Sequence, residues 1–384
     1  MVFELLAPNR IIFGNGAIRK VTEIAPALGR HALVVCGSGS VPLDVLLQIM
    51  EDSCVDVKIF HVTKEPDVPT IRAGLAKSKA ENCDFVIGYG GGSVLDTAKA
   101  IAALMTNSGD VLDYMEGVGK GREINNKAAP MIALPTTAGT GTEVTKNAVI
   151  TSLRHHVKVS MRSPKMIPTV AIVDPELTYT MPPAVTATTG MDALTQVLEA
   201  YVSNRANPIT DIIAKEGIKR GARSLHIVFK DGQNKEARED MAMTSLFGGL
   251  ALANAGLGAV HGFAGPIGGM FNAPHGAICA SLLPSVMKYN VQFLEKLKDG
   301  EKIRNRYQEI SQLLTGNPQT TIEEGVRWVA ELAEALGIPG LHAIGVEKFD
   351  FDQIIGKSKI SSSMKKNPVV LDDVTLKAIL TEAF

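Results

Sequence analysis

Phe85-Val86-Ile87-Gly88-Tyr89-Gly90-Gly91-Gly92-Ser93-Val94-Leu95-Asp96 decides the architecture of this 384-residue chain. An apolar, β-rich run ends in three consecutive glycines, and helical periodicity sets in near Ser93. In a strand, glycine turn and helix taken in that order, backbone N–H groups can approach an anion with no Cβ in the way. The positive end of the helix dipole lies behind them. Further along, Met131-Ile132-Ala133-Leu134 leads into Pro135-Thr136-Thr137-Ala138-Gly139-Thr140-Gly141-Thr142-Glu143, a second strand followed by small and hydroxyl-bearing residues. A lone Gly-Gly-Gly-Ser marks a turn more often than a ligand. Two such turns after two strands point to a dinucleotide, with Gly90, Gly91, Gly92 and Ser93 against its pyrophosphate.

Working outward, β-rich runs at Ala32–Cys36, Val55–His61, Asp84–Gly88, Met131–Leu134 and Val170–Val173 alternate with helical periodicity at Ala17–Leu28, Val41–Met50, Thr70–Glu81 and Val94–Met105. Such alternation predicts a doubly wound, mostly parallel α/β sheet. Ala148–Thr151 and Lys158–Met161 read as a hairpin added to that sheet. After Pro182-Pro183 the β-rich runs stop. Helices are expected at Gly190–Val202, Ile209–Ile227, Lys235–Asn254, Ala280–Tyr289, Ile303–Leu314 and Ile322–Leu336. The expected organisation is therefore an α/β domain over 1–183 and an all-α domain over 184–384.

Composition bounds the function. With 45% hydrophobic residues there is apolar material for two cores, and a net charge of −1 with 21% charged residues supplies no basic field for nucleic acid or a membrane surface. No run reaches the ~18 apolar residues of a membrane helix, and the N-terminus lacks a signal-peptide pattern. Cys36, Cys54, Cys83 and Cys279 have no C-x-x-C spacing and read as free thiols in a reducing compartment. A cytoplasmic homo-oligomer, such as a dimer, is expected.

The two turns together resemble the iron-containing (group III) alcohol dehydrogenase family, whose fold is shared with dehydroquinate synthase. Its GGGS-x-x-D turn and TTxGTGSE segment both hold NAD(P). That resemblance covers essentially the whole chain and adds Asp96, Thr136, Thr137, Thr140 and Thr142 as cofactor residues; Thr142 stands where the family usually has Ser. It also matches Lys158 to a lysine near the nicotinamide ribose. The adenosine-ribose Asp of the family is replaced by Gly37 in Cys36-Gly37-Ser38-Gly39-Ser40. Without that carboxylate a 2′-phosphate is not repelled, and Ser38 and Ser40 are candidates to bond it, so NADP is expected beside NAD.

In the helical half, the family binds one divalent metal through an Asp, a His four residues later, the His of GLGxxH and the His of PHG, in the interdomain cleft. Carried over, these are Asp192, Gln196, His261 and His275, with Gln196 in place of a histidine. Asp192 and Gln196 share a helical face. The two histidines lie in the Gly/Pro-framed segments Gly256–Pro266 and Asn272–Gly276. An amide oxygen is a weaker donor than imidazole for transition metals, so Fe(II) or Zn(II) is expected to sit here more loosely than among three imidazoles. A second departure is Gly265, where the family often has a histidine near the nicotinamide. The implied activity is interconversion of a small alcohol and its aldehyde or ketone, with His261 and His275 catalytic. Two alternatives stand beside it: a metal-free reductase of the maleylacetate reductase type, with those histidines as proton donors, and a dehydroquinate synthase-like cyclase. Against the cyclase, no Lys/Arg cluster for a phosphorylated substrate accompanies the motifs. His31, His61, His155, His156, His226 and His342 have no partner at ligand spacing.

Overall fold

The computed structural model describes residues 2–37, 42–155, 157–271 and 273–384. Two compact units divide the chain: Leu6–Thr137 with Gly141–Met181, and Pro182–Phe384 together with residues 2–5 and Ala138–Thr140. The expected order, an α/β sheet followed by a helical part, is the one adopted.

The first unit carries strands β1 (Arg10–Phe13), β2 (His31–Gly37), β3 (Asp56–Val62), β4 (Phe85–Gly90), β5 (Met131–Pro135), β6 (Asn147–Ser152), β7 (Val157–Arg162) and β8 (Val170–Val173). Its helices are α1 (Val21–Ile24), α2 (Asp44–Asp52), α3 (Val68–Ala80), α4 (Gly92–Thr106) and α5 (Val111–Tyr114). Six strands form one parallel sheet in the order β1-β8-β5-β4-β2-β3. A strand buried on both faces reads as an unbroken apolar run, and every residue of β4 is buried. The period of two sorts its neighbours. Leu33, Val35 and Val86 pack with Leu95, Ala98 and Ile101 of α4. On the other face, Ala32, Val34, Phe85 and Ile87 pack with Val21 and Ile24 of α1 and Leu46 and Met50 of α2.

Three expectations are corrected here. Ala17–Leu28 is not one helix but a 3-10 turn, the single turn α1 and a second 3-10 turn, Ala25–Ala27, containing Pro26; proline cannot donate the backbone hydrogen bond a continuous helix needs. The hairpin β6–β7 is real, but it forms its own two-stranded antiparallel sheet, with Ile150 opposite Val159. Finally, Arg10–Phe13 is an edge strand on β8 that the β-rich runs did not include.

The second unit contains α6 (Pro183–Val202), α7 (Pro208–Lys230), α8 (Lys235–Ala255), α9 (Ala259–Phe271), α10 (His275–Leu294), α11 (Glu301–Thr315), α12 (Ile322–Ala335), α13 (Phe351–Lys359) and α14 (Asp373–Glu382). Proline at its first position starts α6, seven residues ahead of Gly190. Gly190 is a packing residue instead, since a Cβ there would lie 2.2 Å from Leu225 Cδ1. Leu194 and Val197 of α6, Ile218 of α7, Phe263 of α9 and Leu282 of α10 belong to one core. Among the described residues, no single helix is long and apolar enough to cross a membrane.

Candidate active site

In the sheet unit, β4 and β5 run parallel with Gly90 opposite Pro135, so the turns after them lie side by side at the carboxyl edge of the sheet, where open α/β folds bind ligands. Gly91 is the N-cap of the 15-residue α4 and has no side chain with which to cap that helix. Its first N–H groups are thus left for an external acceptor, as a phosphate requires. A Cβ on Gly91 would stand 3.2 Å from both Cγ2 and Oγ1 of Thr137, and Thr136 N donates to Gly90 O at 3.0 Å. A cradle this close-set, with glycine at its centre and free N–H groups at its floor, fits a dinucleotide pyrophosphate.

Asp96 and Thr142 are occupied with each other. Thr142 Oγ1 donates to Asp96 Oδ1, and Lys99 Nζ donates to Thr142 Oγ1 at 2.6 Å, to Thr142 O at 2.9 Å, to Thr145 Oγ1 at 2.9 Å and to Asn147 O. Asp96 also accepts from Val149 N at 2.9 Å. Lys99 is wholly buried, which pulls its pKa down while Asp96 opposes the shift. Burial pushes the neighbouring Glu143 carboxyl up to about 7. Lys158, on β7, pairs with Glu65 at 2.8 Å. Gly37 closes β2 opposite Val62; Ser38 and Ser40 lie outside the described residues. Thr140 falls in the short segment that belongs to the helical unit, where a Cβ on Gly139 would lie 2.7 Å from Thr189 Cβ.

The helical unit brings the predicted ligands together. Asp192 and Gln196 lie one turn apart on α6, and both are buried. His261 sits in the first turn of α9 and His275 opens α10 after Pro274. Both histidines are therefore on helices, which the expected helical segments did not include. Their ring centroids are 5.3 Å apart, and His261 Nε2 lies 3.2 Å from Asp192 Oδ1.

Two further residues join them. Glu199, a further turn along α6, accepts from His261 Nδ1 at 2.7 Å and from Val260 N at 2.7 Å. Cys279, four residues after His275 on α10, places Sγ 3.8 Å from His261 Nε2. The ligand atoms of Asp192, His261, His275 and Cys279 all lie within 4.8 Å of one another. At Zn–N of about 2.0–2.1 Å and Zn–S of about 2.3 Å, tetrahedral donors are separated by roughly 3.3–3.6 Å. The 3.2 and 3.8 Å separations on either side of His261 Nε2 match that scale, so the cluster fits one divalent ion.

Electrostatics agree with a site built for cation binding. Burial alone would favour a neutral Asp192, yet His261, His275 and the Gln196 amide hold its pKa below the ordinary value. Burial opposes charge on His261, but Cys279, Asp192 and Glu199 carry its pKa well above the ordinary value. Burial pushes the Cys279 thiol up to about 12. Gln196 Nε2 donates to Gly139 O at 3.3 Å, and among the described residues its buried Oε1 takes no hydrogen bond. Of the other histidines described, His31, His61, His155 and His342 make local contacts with Asp56, Cys36, Ser152 and Glu347, outside this cluster.

An α/β sheet with a phosphate-type turn, joined in sequence to a helical unit carrying a carboxylate–imidazole cluster, defines a class: nicotinamide-dependent oxidoreductases with a metal-type centre. Comparison with known proteins narrows it. Residues 8–175 match the family described as iron-containing alcohol dehydrogenase, and residues 186–384 match the Fe-containing alcohol dehydrogenase family, C-terminal. The chain belongs to the iron-containing alcohol dehydrogenase family. It is 36% identical over 392 residues to 1,3-propanediol dehydrogenase of Klebsiella pneumoniae, covering 100% of this chain and 99% of that protein. The crystal structure of a 1,3-propanediol oxidoreductase superposes with a TM-score of 0.92 at 34% identity, covering 100% of both chains. Sulfoacetaldehyde reductase from Bifidobacterium kashiwanohense, solved in complex with NAD+, superposes with a TM-score of 0.86 at 29% identity, over 100% of this chain and 99% of that one.

Proposed function

We propose that this enzyme interconverts a small alcohol or diol and its aldehyde, with NAD(P) bound at the Gly90–Ser93 turn and a divalent metal held by Asp192, His261 and His275. The convergence of those three residues, with a carboxylate on the far side of His261, carries the reading. Bound there, a dication would polarise the substrate oxygen and lower the pKa of an alcohol. A nicotinamide bound at the glycine turn would supply or accept the hydride.

The protein's own groups bind and orient. By accepting the Nδ1 proton of His261, Glu199 fixes the tautomer whose Nε2 lone pair faces Asp192. The uncapped start of α4 offers N–H groups to the pyrophosphate, and Gly91 keeps Thr137 close without a clash. A Cβ on Gly265, one turn beyond His261, would meet nothing within 4 Å among the described residues, and glycine itself has no side chain to carry a proton. We take solvent water to carry it.

The match of the whole chain to a 1,3-propanediol dehydrogenase supports an uncharged short-chain alcohol or diol. The deciding experiment is a panel of aldehydes and diols assayed with NAD(H) and NADP(H), beside metal analysis of protein purified without chelator. Turnover of several small aldehydes that vanishes on chelation and returns with Fe(II) or Zn(II) is expected. Full activity after exhaustive chelation would replace this reading with the metal-free reductase, in which His261 and His275 donate protons.

A further inference from the structure

We propose that Cys279, as the thiolate, is the fourth protein ligand of the metal, so that the donor set is one carboxylate, two imidazoles and one sulfur, with Gln196 outside it. This rests on the reading that a divalent ion lies among Asp192, His261 and His275.

Helix geometry is the first ground. Residues four apart share a helical face, and α10 uses that spacing for His275 and Cys279. Position 196 on α6 has the same spacing from Asp192 but holds an amide. A nitrogen donor is missing from one helix, and a sulfur donor stands at the equivalent spacing on another. Cys279 is buried and free, and its Sγ is 3.8 Å from His261 Nε2, near the roughly 3.6 Å expected of sulfur and nitrogen on one tetrahedral ion.

The second ground is the set of the Gln196 amide. Its Nε2 donates to the Gly139 carbonyl at 3.3 Å, and the amide helps to hold the Asp192 carboxyl below its ordinary value. Rotating the amide to exchange Nε2 and Oε1 would set oxygen against the Gly139 carbonyl, an acceptor that an amide oxygen cannot satisfy. Gln196 therefore steadies Asp192 and does not compete with it. A Cβ on Gly248 would stand 3.0 Å from Oε1, so a glycine makes room for the amide in this orientation.

On binding, the S–H bond breaks, a sulfur–metal bond forms and the proton passes to solvent, as happens when a thiol coordinates a dication. Thiolate donors favour Zn(II) and Co(II) over Mn(II), so sulfur in the site shifts metal preference in that direction.

The test uses full-length apoprotein reloaded with Co(II), whose bonds to thiolate give a near-ultraviolet charge-transfer band that nitrogen and oxygen ligands do not. Wild type should bind one Co(II) per chain and show the band. Cys279→Ser should lose the band and bind Co(II) roughly 10-fold or more weakly, a loss at least as large as removing an outer partner of a ligand. Gln196→Ala should keep the band. If wild type binds Co(II) in a His261-dependent manner without the band, or if the band survives in Cys279→Ser, Cys279 is not a ligand while the metal site stands. If wild type binds no Co(II), or binding ignores His261→Ala, the metal reading itself fails and the sulfur ligand falls with it. The wild-type spectrum decides the matter even where the serine variant does not fold.

Discussion

Thr142 Oγ1 donates a hydrogen bond to Asp96 Oδ1 across 46 residues of sequence, and Lys99 Nζ reaches both. The motifs that contain Asp96 and Thr142 resemble the cofactor segments of the family, but these two side chains are directed at each other. Their bonds join α4 to the loop after β5, and through Val149 N to β6. The glycine turn precedes α4 directly, so its position depends on this buried knot.

Replacing Lys99 with Met should therefore be costly out of proportion to its size. The ammonium holds four oxygen acceptors besides Asp96, and its loss leaves a buried carboxylate without its cation. Breaking a buried pair on one side costs about 3–5 kcal/mol. Urea unfolding should show a loss of that order, and NAD(P)H affinity should fall with it. Unchanged stability would mean that Lys99 and Asp96 are each satisfied without the other.

A buried knot with one cation and one paired carboxylate has no use for a second negative charge, and Glu143, its neighbour, is pushed up from 4.5 to about 7. A raised carboxyl pKa means that the folded chain holds this proton more tightly than the unfolded one. Its contribution is complete below pH 4.5 and is lost as pH rises toward about 7. One proton sets the steepest slope at about 1.4 kcal/mol per pH unit. Glu143→Gln should flatten that slope, so that its urea midpoint exceeds that of wild type at pH 8 by more than at pH 5. Parallel stability curves for the two proteins would remove Glu143 as the titrating group.

Much of this was legible in the sequence, and what was not has physical causes. Phe85–Asp96 could be read because a doubly buried strand, a glycine turn and a buried helix each leave a composition mark. Arg10–Phe13 could not, being four residues paired on one side only. The helix around His261 was hidden by Gly262, Gly265 and Pro266, residues that disfavour helices, while packing of Val260, Phe263 and Ala264 into the core overrides them. Glu199 escaped notice because a helical glutamate is usually solvated; its distance of two turns from Asp192 was the available signal. Cys279 read as an inert buried thiol, although its spacing from His275 repeats that of Asp192 and Gln196.

Gly37 ends β2 with no side chain to meet a ribose. NADP(H) should accordingly be used at least as well as NAD(H), and Gly37→Asp should move preference toward NAD(H) by roughly 1–3 kcal/mol, the scale of one polar contact made or left unsatisfied. The ratio of kcat/KM for the two cofactors, in wild type and variant, reads it. A wild type already strongly selective for NAD(H) would place the discrimination elsewhere in the chain.

Glu199 performs two tasks that one substitution separates. Oε1 accepts from Val260 N and anchors the start of α9, while Oε2 accepts from His261 Nδ1. Glutamine retains an oxygen acceptor and nearly the same shape, so anchoring of α9 survives in Glu199→Gln if the amide oxygen faces Val260. The group left facing Nδ1 is then an NH2, which cannot accept from it, and the carboxylate charge that raises the basicity of Nε2 is gone. Metal affinity should drop roughly 10–100-fold, the usual cost of losing a carboxylate behind a ligating histidine. Competition against a chelator of known affinity measures this without any turnover assay, and the melting temperature of the apoprotein reports separately on α9. A variant with unchanged apo stability and weakened metal binding identifies the carboxylate as the group that orients His261. A variant with unchanged metal affinity shows that Glu199 only anchors the helix, and His261 must then take its orientation from Asp192 and Cys279.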